Sequence, residues 1–144
     1  KPTQLKDLRG QLGNTHFYQV VTKSKPFPNG LLDRKWKLVA LHEADEIIKP
    51  KKGRTHSMTL SRDKRVAGRN DCNSYSGTFS LVKGNWLKFG NHFLSTRMLC
   101  SSSSLDFKFF ESLYASKGFE VDGDKLKLYY GDNAEHWMEF EDKT

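Results

Sequence analysis

Apolar and polar residues alternate through several short segments of the chain, and the segments are separated by turn-forming sequences such as Asp122-Gly123-Asp124. Met58 and Leu60, for example, fall on the same face of an extended segment, as the two-residue period of a half-buried strand requires. Short alternating segments joined by glycine-containing turns are typical of antiparallel sheets. We predict strands at His16–Lys23, Trp36–His42, Thr55–Ser61, Arg65–Arg69, Tyr75–Lys83, Trp86–Phe89, Leu126–Tyr130 and His136–Glu141.

One segment follows a period of about four residues instead of two. Leu105, Phe109 and Leu113 are spaced four apart, so they line one face of a helix, as packing against a sheet requires. One of the serines at 103–104 is a suitable N-cap, and Gly118 is a suitable stop. The pattern therefore predicts a helix over about residues 104–117.

Strands followed by one helix and then by more strands predict an α+β fold, in which a mainly antiparallel curved sheet or incomplete β-barrel packs on the helix. At 144 residues the chain has the size of one domain. We interpret residues 1–32, which contain Pro2, Pro26 and Pro28, as an N-terminal extension made of an extra strand and a linker, and residues 33–144 as the domain. The apolar runs fall far short of the roughly 20 residues that a transmembrane helix needs.

Charge is distributed unevenly along the chain. Lys and Arg number 24 and Asp and Glu 17, which gives a net charge of +7. Residues 1–72 carry 16 basic and 7 acidic groups (+9), and residues 73–144 carry 8 and 10 (−2). A candidate anion-binding patch in the basic half consists of Lys49, Lys51, Lys52 and Arg54. A solvated loop is the simpler interpretation, and because the strands use most of the aromatic residues, we expect no nucleic-acid partner.

Two motifs follow one another in the middle of the chain. Asp71–Phe79 reads Asp-Cys-Asn-Ser-Tyr-Ser-Gly-Thr-Phe, and Ser95–Cys100 reads Ser-Thr-Arg-Met-Leu-Cys, with a predicted hairpin between them. They resemble the Gly-Cys-Asn-x-Tyr-x-Gly and Ser-Thr-x-Met-x-Cys motifs of the META domain, the family of the bacterial HslJ heat-shock protein. The likeness runs from the strand at Trp36 to the last strand, about three quarters of the chain. It departs from the family pattern at Asp71, where the family usually has Gly.

The resemblance implies a small barrel-like α+β domain, commonly exported and often lipid-anchored, without established catalytic activity. We therefore expect a periplasmic, outer-membrane lipoprotein or secreted protein of the bacterial cell envelope, tethered in the lipoprotein case through a removed N-terminal lipidated segment. The resemblance also implies structural roles, not an active site, for the motif residues Asn73, Tyr75, Gly77, Ser95, Thr96, Arg97 and Met98. Anion binding by Arg97 is an open alternative.

Cys72 and Cys100 are the two cysteines of the chain, and both lie at the ends of predicted strands. An exported compartment favours oxidation, so we predict a disulfide between them. In the chain-entropy model the bridge would stabilise the fold by roughly 3–4 kcal/mol. Two buried reduced thiols are the main alternative. A metal site or a nucleophile is a weaker one, because no paired histidines stand at ligand spacing.

The other titratable residues do not form a recognisable catalytic set. The five histidines are scattered, acidic pairs such as Asp122 with Asp124 lie in turns, and the glycines form no phosphate-binding motif. We therefore expect a protein that is not an enzyme and that has no cofactor and no metal.

The resulting hypothesis is a non-enzymatic extracytoplasmic binding domain, related to envelope stress by its family resemblance and monomeric, whose partner is an unknown protein or a hydrophobic ligand. In one version a half-open barrel carries an acyl chain between helix and sheet, with Phe109 and Phe110 controlling its occupancy. In another, inhibitor-like loops dock a second protein. A nucleic-acid binder and a hydrolase are the remaining alternatives.

Overall fold

The computed structural model describes residues 30–96 and 104–142. The predicted strand at His16–Lys23 and most of the extension at 1–32 lie outside these ranges, as do Arg97, Met98 and Cys100. The described strands are β1 (Trp36–Glu43), β2 (Glu46–Ile48), β3 (Ser57–Leu60), β4 (Arg65–Asn70), β5 (Asn73–Leu81), β6 (Leu87–Phe89), β7 (Leu94–Ser95), β8 (Ser116–Asp122), β9 (Lys125–Tyr130) and β10 (His136–Glu141). The described helix, α1 (Ser104–Tyr114), lies between β7 and β8 in the chain.

Neighbouring strands in the described ranges pair in antiparallel fashion, in the order β6-β5-β4-β3-β1-β10-β9-β8. β2 adds to β1, and β7 adds to β5. The two ends of this order approach one another, because Trp86, next to β6, pairs with Gly118 of β8 in an isolated bridge. The sheet is therefore nearly closed, and the predicted incomplete barrel is confirmed.

The predicted strands that fall within the described ranges are present, with ends shifted by a few residues. β2, β7 and β8 were not expected from the pattern. A two-residue period cannot be recognised in β2 and β7, which are three and two residues long.

The helix ends earlier than the predicted residue 117. α1 ends at Tyr114, and β8 begins at Ser116, so the prediction of a helix stop at Gly118 is wrong. Gly118 is buried within β8, opposite Tyr129, where the register against β9 shifts. Glycine is typical of helix ends but also of irregular, closely packed positions in strands, and the sequence pattern does not distinguish the two.

The hydrophobic core joins α1 to the sheet. Phe109 and Leu113 of α1 are fully buried together with Trp36 and Phe140 of the sheet. The ring of Phe109 lies 6.5 Å from that of Phe140 and 5.9 Å from that of Tyr75. Burying a large apolar side chain contributes about 1.5–3 kcal/mol. Side chains thus occupy the space between α1 and the sheet.

In the described part of the chain, no helix combines the length and apolar character needed to cross a membrane.

Candidate functional site

The first motif opens with the turn between β4 and β5, and Asp71 occupies a left-handed backbone conformation there (φ 65°). Glycine adopts this conformation without steric cost, and Asp tolerates it. The backbone N–H of Asp71 donates to the carbonyl of Thr55 (2.7 Å), and its carboxylate pairs with Arg54. Asp71 therefore adopts a backbone conformation open to glycine and uses its carboxylate for an ion pair.

Tyr75 is 3% exposed, and its hydroxyl donates to the carbonyl of Ser57 (2.7 Å). Burial raises the pKa of the Tyr75 phenol, so the hydroxyl stays protonated. Two glycines allow this ring and its neighbours to pack closely, because a side chain at either position would clash. A Cβ at Gly68, which is paired with Tyr75, would lie 2.0 Å from the oxygen of Ser57, and a Cβ at Gly77 would lie 2.3 Å from the ring of Phe93.

Hydrogen bonds and strand pairing link the start of the second motif to the first motif. The hydroxyl of Thr96 donates to the side-chain oxygen of Asn73 (2.7 Å) and accepts from the backbone N–H of Ser74 (3.1 Å). Ser95 of β7 pairs with Tyr75 of β5. These contacts join Asn73, Tyr75, Ser95 and Thr96 in one network between the two motifs, and their structural role stays a prediction. Nothing in the described ranges bears on Arg97 or Met98.

A cluster of four charged or titratable side chains lies beside the first motif, at the start of α1. We call it the ionic cluster, and it consists of Arg54, His56, Asp71 and Asp106. His56 Nε2 lies 2.9 Å from Asp106 Oδ1, and Arg54 Nη1 lies 3.8 Å from Asp106 Oδ2. Asn70 adds a bond from its amide to the backbone oxygen of Asp106 (3.1 Å). Asp106 in the first turn also suits the positive end of the helix dipole.

The ionic cluster is built to hold the helix in place. His56 is 0% exposed and packs edge-on against Phe109 at 5.2 Å, and its Nδ1 has no hydrogen-bond partner in the described residues. A general base must come within hydrogen-bond reach of its substrate, and a fully buried imidazole cannot do so without rearrangement. The pair of His56 with Asp106 thus positions α1 against β3.

Sequence reasoning missed this cluster because its members are far apart in the chain, at 54, 56, 71 and 106. The departure of Asp71 from the family motif was the available clue, since a carboxylate at a left-handed turn implies a compensating partner.

Arg54, one of the four residues of the predicted basic patch, belongs to the ionic cluster. Lys49, Lys51 and Lys52 are exposed, whereas Arg54 is half-buried and turned toward Asp71 and Asp106. Arg54 is therefore already committed to carboxylates and does not present a free guanidinium to an anion. Anion binding by the three lysines stays a prediction.

Cys72 follows Asp71 in the turn and is half-buried. Because Cys100 lies outside the described residues, the disulfide between the two cysteines stays a prediction.

The solvent side of α1 carries an aromatic surface that the sequence pattern did not predict. Phe107, Phe110 and Tyr114 share one side of the helix, and Phe107 and Tyr114 are 72% and 43% exposed. The ring of Phe93 lies 5.9 Å from Phe110 and 4.9 Å from Tyr114. We call these four residues the outer aromatic face. The clue in the sequence was Phe107, which lies off the stripe formed by Leu105, Phe109 and Leu113.

The chain is similar to known proteins both in sequence family and in fold. Residues 29–143 match a family model described as META domain. No curated protein matches the chain. An NMR structure of a protein from Burkholderia xenovorans is similar over 79% of this chain and 84% of that one, with 26% identity and a TM-score of 0.64. A crystal structure of a DUF4847 family protein from Bacteroides vulgatus is similar over 78% of this chain and 94% of that one, with 15% identity and a TM-score of 0.56. At this low identity the second likeness shows the fold alone.

Proposed function

Because the chain belongs to the META domain family, we propose that it is a non-enzymatic, extracytoplasmic domain that binds a protein partner through its outer aromatic face. The observation that carries the proposal is the exposure of Phe107 and Tyr114, two aromatic side chains on the same side of α1. Surface apolar residues are common singly, but a contiguous apolar patch is typical of an interaction site.

The composition of the face favours a protein partner. Aromatic side chains are enriched at the centres of protein–protein interfaces, where they bury large area and lose little conformational entropy. Phe110 and Phe93 lie beneath the exposed residues in mutual ring contact, so they support the face from below. The face is therefore already ordered before binding, which lowers the entropic cost of association.

A lipid surface fits this face less well. Helices that lie on membranes combine an apolar face with Lys and Arg along their polar side, and anionic headgroups repel carboxylates. Glu111 stands on α1 between Phe107 and Tyr114 in sequence and shares their side of the helix. The last turn of α1 carries no basic residue.

An internal ligand also fits less well than a surface partner. An acyl chain between α1 and the sheet would need the space that Phe109 and Leu113 fill, and both are 0% exposed. Displacing either would forfeit core packing worth about 2–5 kcal/mol. The ionic cluster supports the non-enzymatic part of the proposal, because its titratable groups are paired with one another beneath the surface.

The extracytoplasmic part of the proposal rests on the family resemblance and on the pair of cysteines. An inhibitor-like or envelope-stress role would be a specialisation of the same docking function. The lysines at 49, 51 and 52 are too few for the phosphate contacts of a typical nucleic-acid surface. A gel-shift assay across a salt series tests that alternative.

Site-specific photo-crosslinking in cells tests the proposal. A photoreactive amino acid is placed at Phe107 or Tyr114 in the full-length gene product, and at Val82 as the control, which is 66% exposed and lies outside the face. We expect one discrete crosslinked protein from positions 107 and 114 and none from 82, recovered in the envelope fraction.

Two results would contradict the proposal. Equal crosslinking from all three positions would mean that the face has no special role, and lipid adducts from 107 would mean a membrane surface. Recovery of the discrete species from the cytoplasm would overturn the proposed location and leave the docking function standing.

A further inference from the structure

A second surface feature, separate from the outer aromatic face, is a solvent-open pocket of about 390 Å³ at the C-terminal end of α1. One wall is the flank of the helix formed by Lys108, Glu111, Ser112 and Ala115, which recur at helical spacing. The other walls are Glu43 at the end of β1 and the turn from Tyr130 to His136 between β9 and β10. The pocket therefore gathers residues from three separate parts of the chain.

The pocket is strongly acidic on a basic protein. Four carboxylates line it, on Glu43, Glu111, Asp132 and Glu135, against one ammonium group, that of Lys108. With His136 neutral the lining carries a charge of −3, whereas the whole chain carries +7. Lys108 Nζ lies 2.5 Å from Glu43 Oε1 and forms its ion pair with that carboxylate.

The helix adds to the negative potential of the pocket. α1 ends at Tyr114 beside the pocket, and no basic residue lies in its last turn. The C-terminus of a helix carries a partial negative charge that cations stabilise. A ligand cation would supply the complement that the chain itself lacks there.

An independent observation points to a hydrogen-bonding ligand. Tyr130 lines the pocket and is 4% exposed, and its buried hydroxyl has no hydrogen-bond partner in the described residues. Burial, together with the charges of Glu43, Glu111 and Glu135, raises the pKa of Tyr130 to about 12. The Ser112 side chain, which approaches the hydroxyl without a hydrogen bond of normal geometry, lowers that pKa. The phenol thus lies within the field of three of the four pocket carboxylates. A donor group on a ligand would give this hydroxyl a hydrogen-bond partner.

The spacing of the carboxylates selects the kind of cation. In the described ranges no three acidic, histidine or cysteine side chains converge as ligands of a single metal ion would. Charges spread along a pocket suit an elongated cation with separated positive groups and apolar carbons between them.

We propose that this pocket binds alkylammonium groups, as carried by a free polyamine or by a lysine side chain of another protein. The ammonium donates to the carboxylates of Glu111 and Asp132 and to the hydroxyl of Tyr130. Lys108 competes with the ligand by holding Glu43. His136 Nδ1 accepts a long bond from the backbone N–H of Ala44 (3.4 Å), which leaves its Nε2–H directed toward Glu135 at 3.6 Å.

A titration followed by amide chemical shifts tests the proposal at low salt, with spermidine, putrescine, butylamine, N-acetyl-lysine methylamide and Mg²⁺ as separate probes. We expect saturable shifts at Ala115 and Gly131, tighter binding of putrescine than of the singly charged butylamine, and weakening with added salt. Tighter binding of the polyamines than of the lysine derivative identifies a free polyamine as the source, and the reverse order identifies a protein lysine.

Substitutions in the pocket should change the affinity for spermidine in opposite directions. Glu111→Gln and Asp132→Asn should each weaken spermidine binding about two- to fivefold, and Asp63→Asn, an exposed carboxylate outside the pocket, should leave it unchanged. Lys108→Gln should tighten binding because it frees Glu43. Tyr130→Phe should weaken binding without lowering the melting temperature, since the hydroxyl it removes has no partner.

Three outcomes would overturn the proposal. These are the absence of saturable shifts with every amine, equal effects of Asp63→Asn and Glu111→Gln, and stronger binding of Mg²⁺ than of the amines at the same amides. The outer aromatic face does not enter any of these measurements, so the docking proposal stands or falls separately.

Discussion

The side-chain amide of Asn85 donates to the backbone carbonyl of Phe119 (2.8 Å), and the backbone N–H of Phe119 donates to the carbonyl of Asn85 (3.0 Å). The two residues lie at opposite ends of the strand order, and the pair is buried, with Asn85 1% exposed. A single asparagine therefore supplies a side-chain donor and a backbone acceptor to the seam where the sheet nearly closes. Closing the seam protects edges that would otherwise be open for pairing with another chain.

Loss of the Asn85 side chain should open this seam. We expect Asn85→Ala to lower the free energy of unfolding by about 1–3 kcal/mol, because the carbonyl of Phe119 is left buried without its donor. Amide hydrogen exchange at Phe119 should accelerate as well. Asn91→Ala, at an exposed asparagine, is the matched control and should change stability by less than about 0.5 kcal/mol. Equal effects of the two substitutions in urea denaturation would argue that the seam does not depend on this bond.

The ion pair of Asp71 with Arg54 should offset the conformational free energy that Asp71 loses by adopting a left-handed backbone. We expect Asp71→Gly to be nearly neutral in the natural background and to stabilise by about 1 kcal/mol when Arg54 is replaced by Met, because only the backbone gain then remains. A double-mutant cycle in urea measures the coupling. Asp33 provides a close control, since it also has positive φ (60°) and pairs with Arg62 at 3.1 Å, but on the exposed surface.

The coupling in the Asp33 cycle should stay below about 1 kcal/mol. A coupling between Asp71 and Arg54 no larger than this control would mean that Asp71 contributes nothing through its charge.

Alanine substitutions at the two glycines around Tyr75 should differ in how far a second substitution restores stability. A Cβ at Gly77 meets the ring of Phe93, which is able to move, whereas a Cβ at Gly68 meets the backbone oxygen of Ser57. We expect Gly77→Ala to cost about 1–3 kcal/mol and to be partly restored by Phe93→Leu. Gly68→Ala should cost more and should not respond to Phe93→Leu. Thermal unfolding of the four variants checks this, and rescue of both glycine variants alike would contradict it.

The protein should lose stability in alkali through its buried tyrosines. Burial raises the pKa of Tyr130 to about 12 and raises those of Tyr75 and Tyr129 as well, whereas a tyrosine in the unfolded chain ionises near 10. Above about pH 10 the unfolded state therefore binds fewer protons than the folded state, and the free energy of unfolding falls with pH. The contribution of these groups is fully present below about pH 10 and is lost as pH rises through the folded pKa.

Tyr130→Phe isolates one of these groups. We expect it to match the natural protein at pH 7 and to be about 1 kcal/mol more stable near pH 11, because the variant no longer has this phenol to ionise. Urea denaturation at the two pH values measures the difference. A constant difference between the variant and the natural protein across this range would mean that the Tyr130 hydroxyl titrates alike in both states.

The predicted disulfide has a direct chemical test. Protein purified without reductant should be two hydrogens lighter than reduced protein, and its thiols should resist alkylation until reductant is added. Reduction should lower the free energy of unfolding by roughly 3–4 kcal/mol in the chain-entropy model. Rapid alkylation of both cysteines in unreduced folded protein would show that they do not form a disulfide.

Local patterns in the sequence were enough to predict the helix and seven of the ten described strands of the barrel. Met58 with Leu60 and Leu105 with Phe109 follow periods that arise from backbone geometry alone, so neighbours in the chain already report which face is buried. The motif residues Asn73 and Tyr75 were recognisable by family resemblance because their roles depend on fixed local spacing. The end of the helix was not recognisable in this way, because Gly118 suits a helix stop and a strand bulge equally well.

Long-range pairings were decided only by the tertiary structure. Arg54 meets Asp71 and Asp106 because β3, β4 and α1 converge, and Asn85 meets Phe119 because the sheet curves back on itself. The pocket at the end of α1 likewise collects Glu43, Glu111 and Tyr130 from three distant stretches. The chain by itself determined which residues turn inward, since that follows from the local period and the hydrophobic effect. Which polar groups become partners depends on how the elements close in space, and no period along the chain carries that information.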